Sequence, residues 1–228
     1  MKSKPKIIIV GCGRSGTKYI SKTLEEAGIH VGHEYSPPDS DGLSSWYVTV
    51  SDFEKYITIP YHGSQLIGFT IQKNDKFISH LPEGATVLHQ VRDPLNTIVS
   101  FKANCSISSW RFVHRYLPEI YLEKDSLLLK TMKYWYYWNQ IAEKKAEWTY
   151  RVESLFEDKI FKEFCLRLKR PELLKTKPLM EATNRQTNTG KNHPKNIYEK
   201  LTWDDLYEED YGLTVSIKKL GRFYGYDI

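Results

Sequence analysis

A continuous β-branched run, Lys6–Val10, passes directly into a glycine-rich turn, Gly11–Gly16, and then into a helical pattern. An uninterrupted apolar run of this length reads as a strand buried on both faces. Such strands are parallel, because helices must cover both sides of the sheet. Tyr19, Ile20, Thr23, Leu24 and Ala27 recur at helical spacing, and Gly28 closes the helix. Ile29–Gly32 is a candidate second strand. The chain therefore opens as strand, loop, helix and strand, the right-handed crossover unit of a parallel sheet. The expected fold class is α/β, a three-layer sandwich with a central parallel sheet flanked by helices.

The rest of the chain fits that class. Glu34–Gly63 is irregular, rich in Pro, Ser, Asp and Gly, and reads as a long functional loop. Gln65–Ile71, Ala85–Val91 and Thr149–Val152 read as strands, and Phe77–Leu81 as a helical turn. Pro94 opens a helix at the position proline prefers. Leu127–Ala146 is the longest helical pattern, with Trp135, Trp138 and Ile141 on one stripe. The cluster Tyr134–Trp138 could form a carbohydrate platform, but at this spacing it reads as core. Further helices are expected at Glu157–Leu168, Pro171–Met180, Trp203–Leu206 and Thr214–Tyr224. With no repeat, linker or low-complexity tract, residues 1–228 read as a single domain.

Composition narrows the function classes. A net charge of +5 suits a polyphosphate ligand or an acidic polymer, and equally a surface with a small lysine excess; it is not the profile of a nucleic-acid-binding domain. Cys12, Cys105 and Cys165 are odd in number and show no metal-ligand spacing, so neither a disulfide framework nor a zinc site is expected. The apolar run near the N-terminus is too short for a signal peptide or membrane span, which makes the cytoplasm the default compartment.

Gly11-Cys12-Gly13-Arg14-Ser15-Gly16-Thr17-Lys18, between strand and helix, is the strongest local signal. Glycines let the backbone turn tightly, and the N–H groups of the loop and first helical turn converge on an anion. A nucleotide-kinase loop requires Gly-Lys-Ser/Thr after the four-residue spacer; here Gly16 is followed by Thr17 and only then Lys18. The cation able to lean over this loop is Arg14. A dinucleotide fingerprint is not expected either: Gly11 and Gly13 fit it, but Glu34, the acidic candidate, begins an irregular segment rather than ending a clear strand.

Arg14-Ser15-Gly16-Thr17 after a strand resembles the 5′-phosphosulfate loop of sulfotransferases, whose protein-tyrosine branch carries Arg-Ser-Gly-Thr. A second stretch, Gln90-Val91-Arg92-Asp93-Pro94 with Ser100 eight residues after Arg92, looks like the 3′-phosphate motif of that family. Arg92 offers a bidentate fork to a phosphate, and Ser100 lies about two turns into the following helix. Tyr150-Arg151-Val152-Glu153-Ser154-Leu155 is a weaker likeness to a family Tyr-Glu-Asp-Leu element, with Val152 and Ser154 departing from it. The resemblance covers roughly residues 6–102. It implies a P-loop nucleotide-hydrolase-like fold and a donor, 3′-phosphoadenosine 5′-phosphosulfate (PAPS), held by Gly13, Arg14, Ser15, Gly16, Thr17, Lys18, Arg92 and Ser100. It also implies a basic C-terminal segment, with Arg185 or Lys191, closing over the 3′-phosphate.

Sulfuryl transfer needs a base for the acceptor proton and cations for the leaving 5′-phosphate. Where the family uses Glu, as in its protein-tyrosine and heparan branches, the residue lies about twenty positions beyond the loop cation. Glu34 is twenty residues after Arg14, at the sheet edge where open α/β folds bind ligands. Glu34 is thus the expected base, with His33 and His80 as alternatives, and His89 reads as packed inside its strand. No metal is expected. Trp46 and Tyr47 follow Glu34 closely and either stack on a sugar or phenol or anchor the loop. The expected acceptor is a small molecule, carbohydrate or peptide. A P-loop kinase and a non-catalytic binding protein are the competing readings.

Overall fold

The computed structural model describes residues 7–34, 40–50, 83–118, 124–181 and 200–228. Among these residues, five strands form one parallel sheet: β1 (Ile7–Gly11), β2 (Val31–His33), β3 (Gly42–Ser44), β4 (Thr86–Val91) and β5 (Trp148–Arg151). Their spatial order is β2-β3-β1-β4-β5, so β1 is central. Its ladder with β4 runs from Ile7 opposite Thr86 to Gly11 opposite Gln90. Among the described residues, the helices accompanying the sheet include α1 (Thr17–Glu26), α2 (Pro94–Asn104), α3 (Ile107–Tyr116), α4 (Leu127–Lys145), α5 (Asp158–Arg167), α6 (Trp203–Glu209) and α7 (Tyr211–Phe223).

Alternation along β1 divides the core between the two faces of the sheet. Ile8 and Val10 join Ile98 and Phe101 of α2, Trp135 and Trp138 of α4 and Ile217 of α7. Ile7 and Ile9 join Ile20 and Leu24 of α1 and Phe161 and Phe164 of α5. Both faces are covered, which explains why β1 reads as an unbroken apolar run. Trp135 and Trp138 are fully buried, so the stripe on α4 is core. Each such aromatic contributes roughly 1.5–3 kcal/mol or more on burial.

Local signals set the helix starts. Asp93 Oδ1 accepts from the N–H of Asn96 and Pro94 occupies the first turn of α2. Ser126 Oγ caps α4 through the N–H of Leu129, and Thr202 with Asp205 forms a capping box on α6. Among the described residues, no helix is long and apolar enough to cross a membrane.

Several boundaries differ from the sequence reading. The second strand begins at Val31 rather than Ile29, because residues 27–30 complete the helix end; Ile29 N–H still bonds to Leu24 O. Residues 34–63 are not wholly irregular: β3 lies between β2 and β1. Three residues with two polar neighbours leave no periodicity to detect. Gly42 is required there, since a Cβ would lie 2.3 Å from the Ile7 carbonyl oxygen. Helix α3 is also absent from the sequence reading. The serines at its start obscure a stripe of Trp110, Val113 and Tyr116, and Ser106 caps it. The helix expected at Pro171–Met180 starts as a 3-10 helix, Pro171–Thr176, and is α-helical from residue 177. The expected strand at 65–71 and turn at 77–81 lie outside the described residues.

His89 is buried in β4, as its place in the strand suggests. Asn139 donates through Nδ2 to Trp135 O, at 2.9 Å, which turns its Oδ1 toward His89 Nε2 at 3.1 Å. That arrangement assigns the ring proton to Nε2 and makes Nδ1 the acceptor for the Thr149 hydroxyl, at 3.1 Å. Burial pushes His89 down from 6.5 to about 4, against the opposing pull of Asn139. The unfolded chain therefore takes up this proton before the folded one. The associated stability is complete above pH 6.5 and is lost as pH falls toward 4, on the order of 3 kcal/mol. His33, pushed down to about 4 as well, adds a second proton to the same window. Urea unfolding from pH 7.5 to 4 should show this loss, with a shallower slope in His89→Gln. An identical slope in the variant counts against the assignment.

Candidate active site

Parallel strands present their C-terminal ends at one edge, and β1, β2 and β4 all empty their sequence-selected residues there. β1 ends at Gly11, where a Cβ would meet the Gln90 carbonyl oxygen at 2.3 Å. The chain then turns through residues 12–16. Ser15 closes the turn: its N–H and its hydroxyl both donate to Cys12 O, at 3.1 and 2.7 Å. The Gly13 N–H donates to the Tyr134 hydroxyl at 2.7 Å, so this amide is already engaged. Arg14 and Gly16 have positive φ, 73° and 97°.

Two side chains from β4 and the segment after it hold the turn. Gln90 Nε2 donates to Ser15 O at 2.8 Å and its Oε1 accepts from the Tyr150 hydroxyl at 2.7 Å. Arg92 donates to Arg14 O at 3.1 Å. A trans peptide sets N–H opposite C=O, so a Ser15 carbonyl held by Gln90 directs the Gly16 N–H away from β4. Gly16 is also the N-cap of α1, which begins without a side-chain cap and with no acidic residue in its first turn. The first amides of such a helix are open to an anion, and the helix dipole favours one.

Arg14 is exposed and its Nε donates to Ser100 Oγ at 3.0 Å. Arg14, Arg92 and Ser100 thus meet although 78 and 86 residues separate Arg14 from the other two. Asp93, next to Arg92, donates its N–H to Glu153 Oε1 at 2.8 Å, and Glu153 Oε2 accepts from the Tyr226 hydroxyl at 2.9 Å. The element around Tyr150 and Glu153 accordingly braces this edge of the sheet.

Glu34 follows β2 directly, with its N–H donating to Ser44 O at 3.1 Å and a positive φ of 57°. Its Oε1 accepts from Trp46 Nε1 at 3.2 Å and lies 3.6 Å from His33 Nε2. Burial raises the Glu34 carboxyl above its ordinary value, while Trp46, Lys18 and Arg14 act in the opposite sense. His33 is driven down to about 4 by burial and then by Lys18. Its Nε2 is 3.2 Å from Thr17 Oγ1. Neighbouring groups pushed in opposite directions can divide acid and base roles. At neutral pH His33 is uncharged, and burial heightens the basicity of Glu34.

The structure brings together Arg14, Ser15, Gly16, Thr17, Arg92 and Ser100, with Lys18 close enough to Glu34 to act on its charge. Lys191, Arg185 and His80 lie outside the described residues. Trp46 and Tyr47 are buried in the aromatic core, which favours the anchoring role over an open stacking platform. The sequence reading gave Gln90 no role of its own; an amide side chain in a strand covered on both faces was the available signal. Comparison with known proteins brings no match, neither to a family model, nor to a curated protein, nor to a solved structure.

Replacing Gln90 with Leu leaves Ser15 O and the Tyr150 hydroxyl unpaired in a buried setting. The expected loss is about 1–3 kcal/mol in denaturant unfolding, with faster amide exchange at residues 13–16. Unaltered exchange there would show that Gln90 does not hold the turn.

Proposed function

We propose that the chain is a PAPS-dependent sulfotransferase. The observation that carries this reading is the meeting of Arg14, Arg92 and Ser100 at the open start of α1, with Arg14 and Lys18 acting on the charge of Glu34. Two anionic groups can be accommodated there: one at the α1 amides and Arg14, the other at Arg92 and Ser100. A donor bearing a 5′-phosphosulfate and a 3′-phosphate matches that pair, and the resemblance of both motifs to the sulfotransferase loops adds to it.

In this reading Glu34 removes the proton from an acceptor hydroxyl or amine. The acceptor atom bonds to sulfur as the bond from sulfur to the bridging 5′-phosphate oxygen breaks, in line. Arg14, Lys18 and the amides of Gly16 and Thr17 stabilise the charge that develops on the departing adenosine 3′,5′-bisphosphate. Arg92 and Ser100 hold its 3′-phosphate. The acceptor class remains the small molecule, carbohydrate or peptide expected above.

Binding and turnover test the reading separately. Adenosine 3′,5′-bisphosphate is expected to raise the melting temperature, as a ligand specific to the native state must. Stabilisation by ATP with Mg²⁺ instead overturns the reading in favour of a kinase. Arg92→Ala and Ser100→Ala should weaken the bisphosphate more than AMP. With labelled PAPS and a panel of acceptors, Arg14→Ala should lose transition-state stabilisation of about 2–4 kcal/mol. Glu34→Gln should lower transfer by about 10²–10⁴-fold with bisphosphate affinity intact. Because burial raises Glu34, the acidic limb of the kcat profile should be displaced upward from the ordinary carboxylate value and vanish in Glu34→Gln. Full activity of that variant means that the base lies elsewhere.

A further inference from the structure

Trp46 lies where the aromatic core and the candidate base meet. Its ring is buried among Tyr47, Phe112 and Trp138, with centroids 4.2, 5.3 and 5.4 Å away, and edge-on to Phe101 and Tyr134 at 6.1 Å. Its backbone carbonyl accepts from Trp138 Nε1 at 3.2 Å, which fixes the residue to α4. A Cβ placed on Gly13 would lie 3.3 Å from Trp46 Cδ2, so the same indole also abuts the glycine-rich turn. The one polar atom of this clamped ring, Nε1, donates to Glu34 Oε1. This bond ties the carboxylate to a ring that the core already holds in place.

We propose that Trp46 is the positioning residue for Glu34, a rigid spacer between the glycine-rich turn and the carboxylate that holds the carboxylate in place and favours its ionised form. A donor to a carboxylate stabilises the charged state, and the indole acts in that sense here. Among the described residues, the other charged and titratable groups acting on Glu34 are His33 at the end of β2, Lys18 on α1 and Arg14 in the turn. The aromatic core around Trp46 therefore takes part in setting the basicity of the site. The consequence for catalysis rests on the sulfuryl-transfer reading, whereas the contact and its effect on Glu34 do not.

The test uses the full chain and the variant Trp46→Phe, which keeps an aromatic ring and removes the N–H. Carbon-13 NMR of the Glu34 carboxyl should titrate at higher pH in the variant than in the wild type. In the wild type, the Trp46 indole N–H resonance should move with the Glu34 titration and cease to do so in Glu34→Gln. This second measurement stands even if Trp46→Phe folds poorly. In the transfer assay the variant should lose on the order of tenfold in kcat, with its acidic limb displaced upward and its bisphosphate affinity unchanged. An unmoved Glu34 titration, or an indole resonance indifferent to pH, overturns the role of Trp46. So does a kcat loss with an undisplaced limb. Absence of any transfer by the wild type overturns the sulfuryl-transfer reading instead, and the two NMR titrations then decide the role of Trp46 alone.

Discussion

β1 and β4 run side by side from Ile7 and Thr86 to Gly11 and Gln90, and this pairing brings the two charged motifs to one place. Parallel strands leave the sheet on the same edge. The turn after Gly11 and the segment after Val91 must therefore emerge together, whatever the length of chain between them. Gly11 permits the close approach, since any side chain would run into the Gln90 carbonyl. Gln90 then reaches across to Ser15 O, and Arg92 to Arg14 O. Had the strands paired antiparallel or out of register, Arg14 and Ser100 would not have met.

The second organising element is the balance between burial and cationic neighbours around Glu34. Desolvation raises the carboxyl; Trp46, Lys18 and Arg14 oppose it. The result is a basic carboxylate that still has partners for its charge. Arg14, Glu34 and Lys169 are the non-glycine residues with positive φ among those described. Lys169 follows Leu168, the C-cap of α5, where a left-handed residue is a common helix terminator. Arg14 and Glu34 have no such excuse in their local structure; each sits at the sheet edge, at a cost of order 1–3 kcal/mol. Strain at the two residues selected for charge is consistent with geometry set by the site rather than by local preference.

Much of the fold was legible in one dimension because burial on both faces leaves a plain signal. β1 is apolar along its covered length, the long helix α4 carries a buried aromatic stripe, and Pro94 and Gly28 mark helix limits through backbone chemistry alone. Where the signal was short or diluted, it failed. β3 has three residues, and the serines at the start of α3 hide its stripe. Both elements exist because neighbours cover them, and a sequence window does not contain those neighbours.

The sequence by itself determined a parallel α/β sheet, an anion-suited strand–turn–helix at residues 11–18, and the candidates Arg14, Glu34, Arg92 and Ser100. These follow from local chemistry: glycine at turns, proline at a helix start, β-branched runs in strands. Only the tertiary structure decided which of these side chains touch. It joined Arg14 to Ser100, assigned Gln90 to the turn, withdrew the Gly13 amide into a bond with Tyr134, and set Trp46 against Glu34. The physical reason is that contacts between residues tens of positions apart depend on strand order and register, and on which buried polar group finds a partner. Residue type and spacing along the chain specify neither.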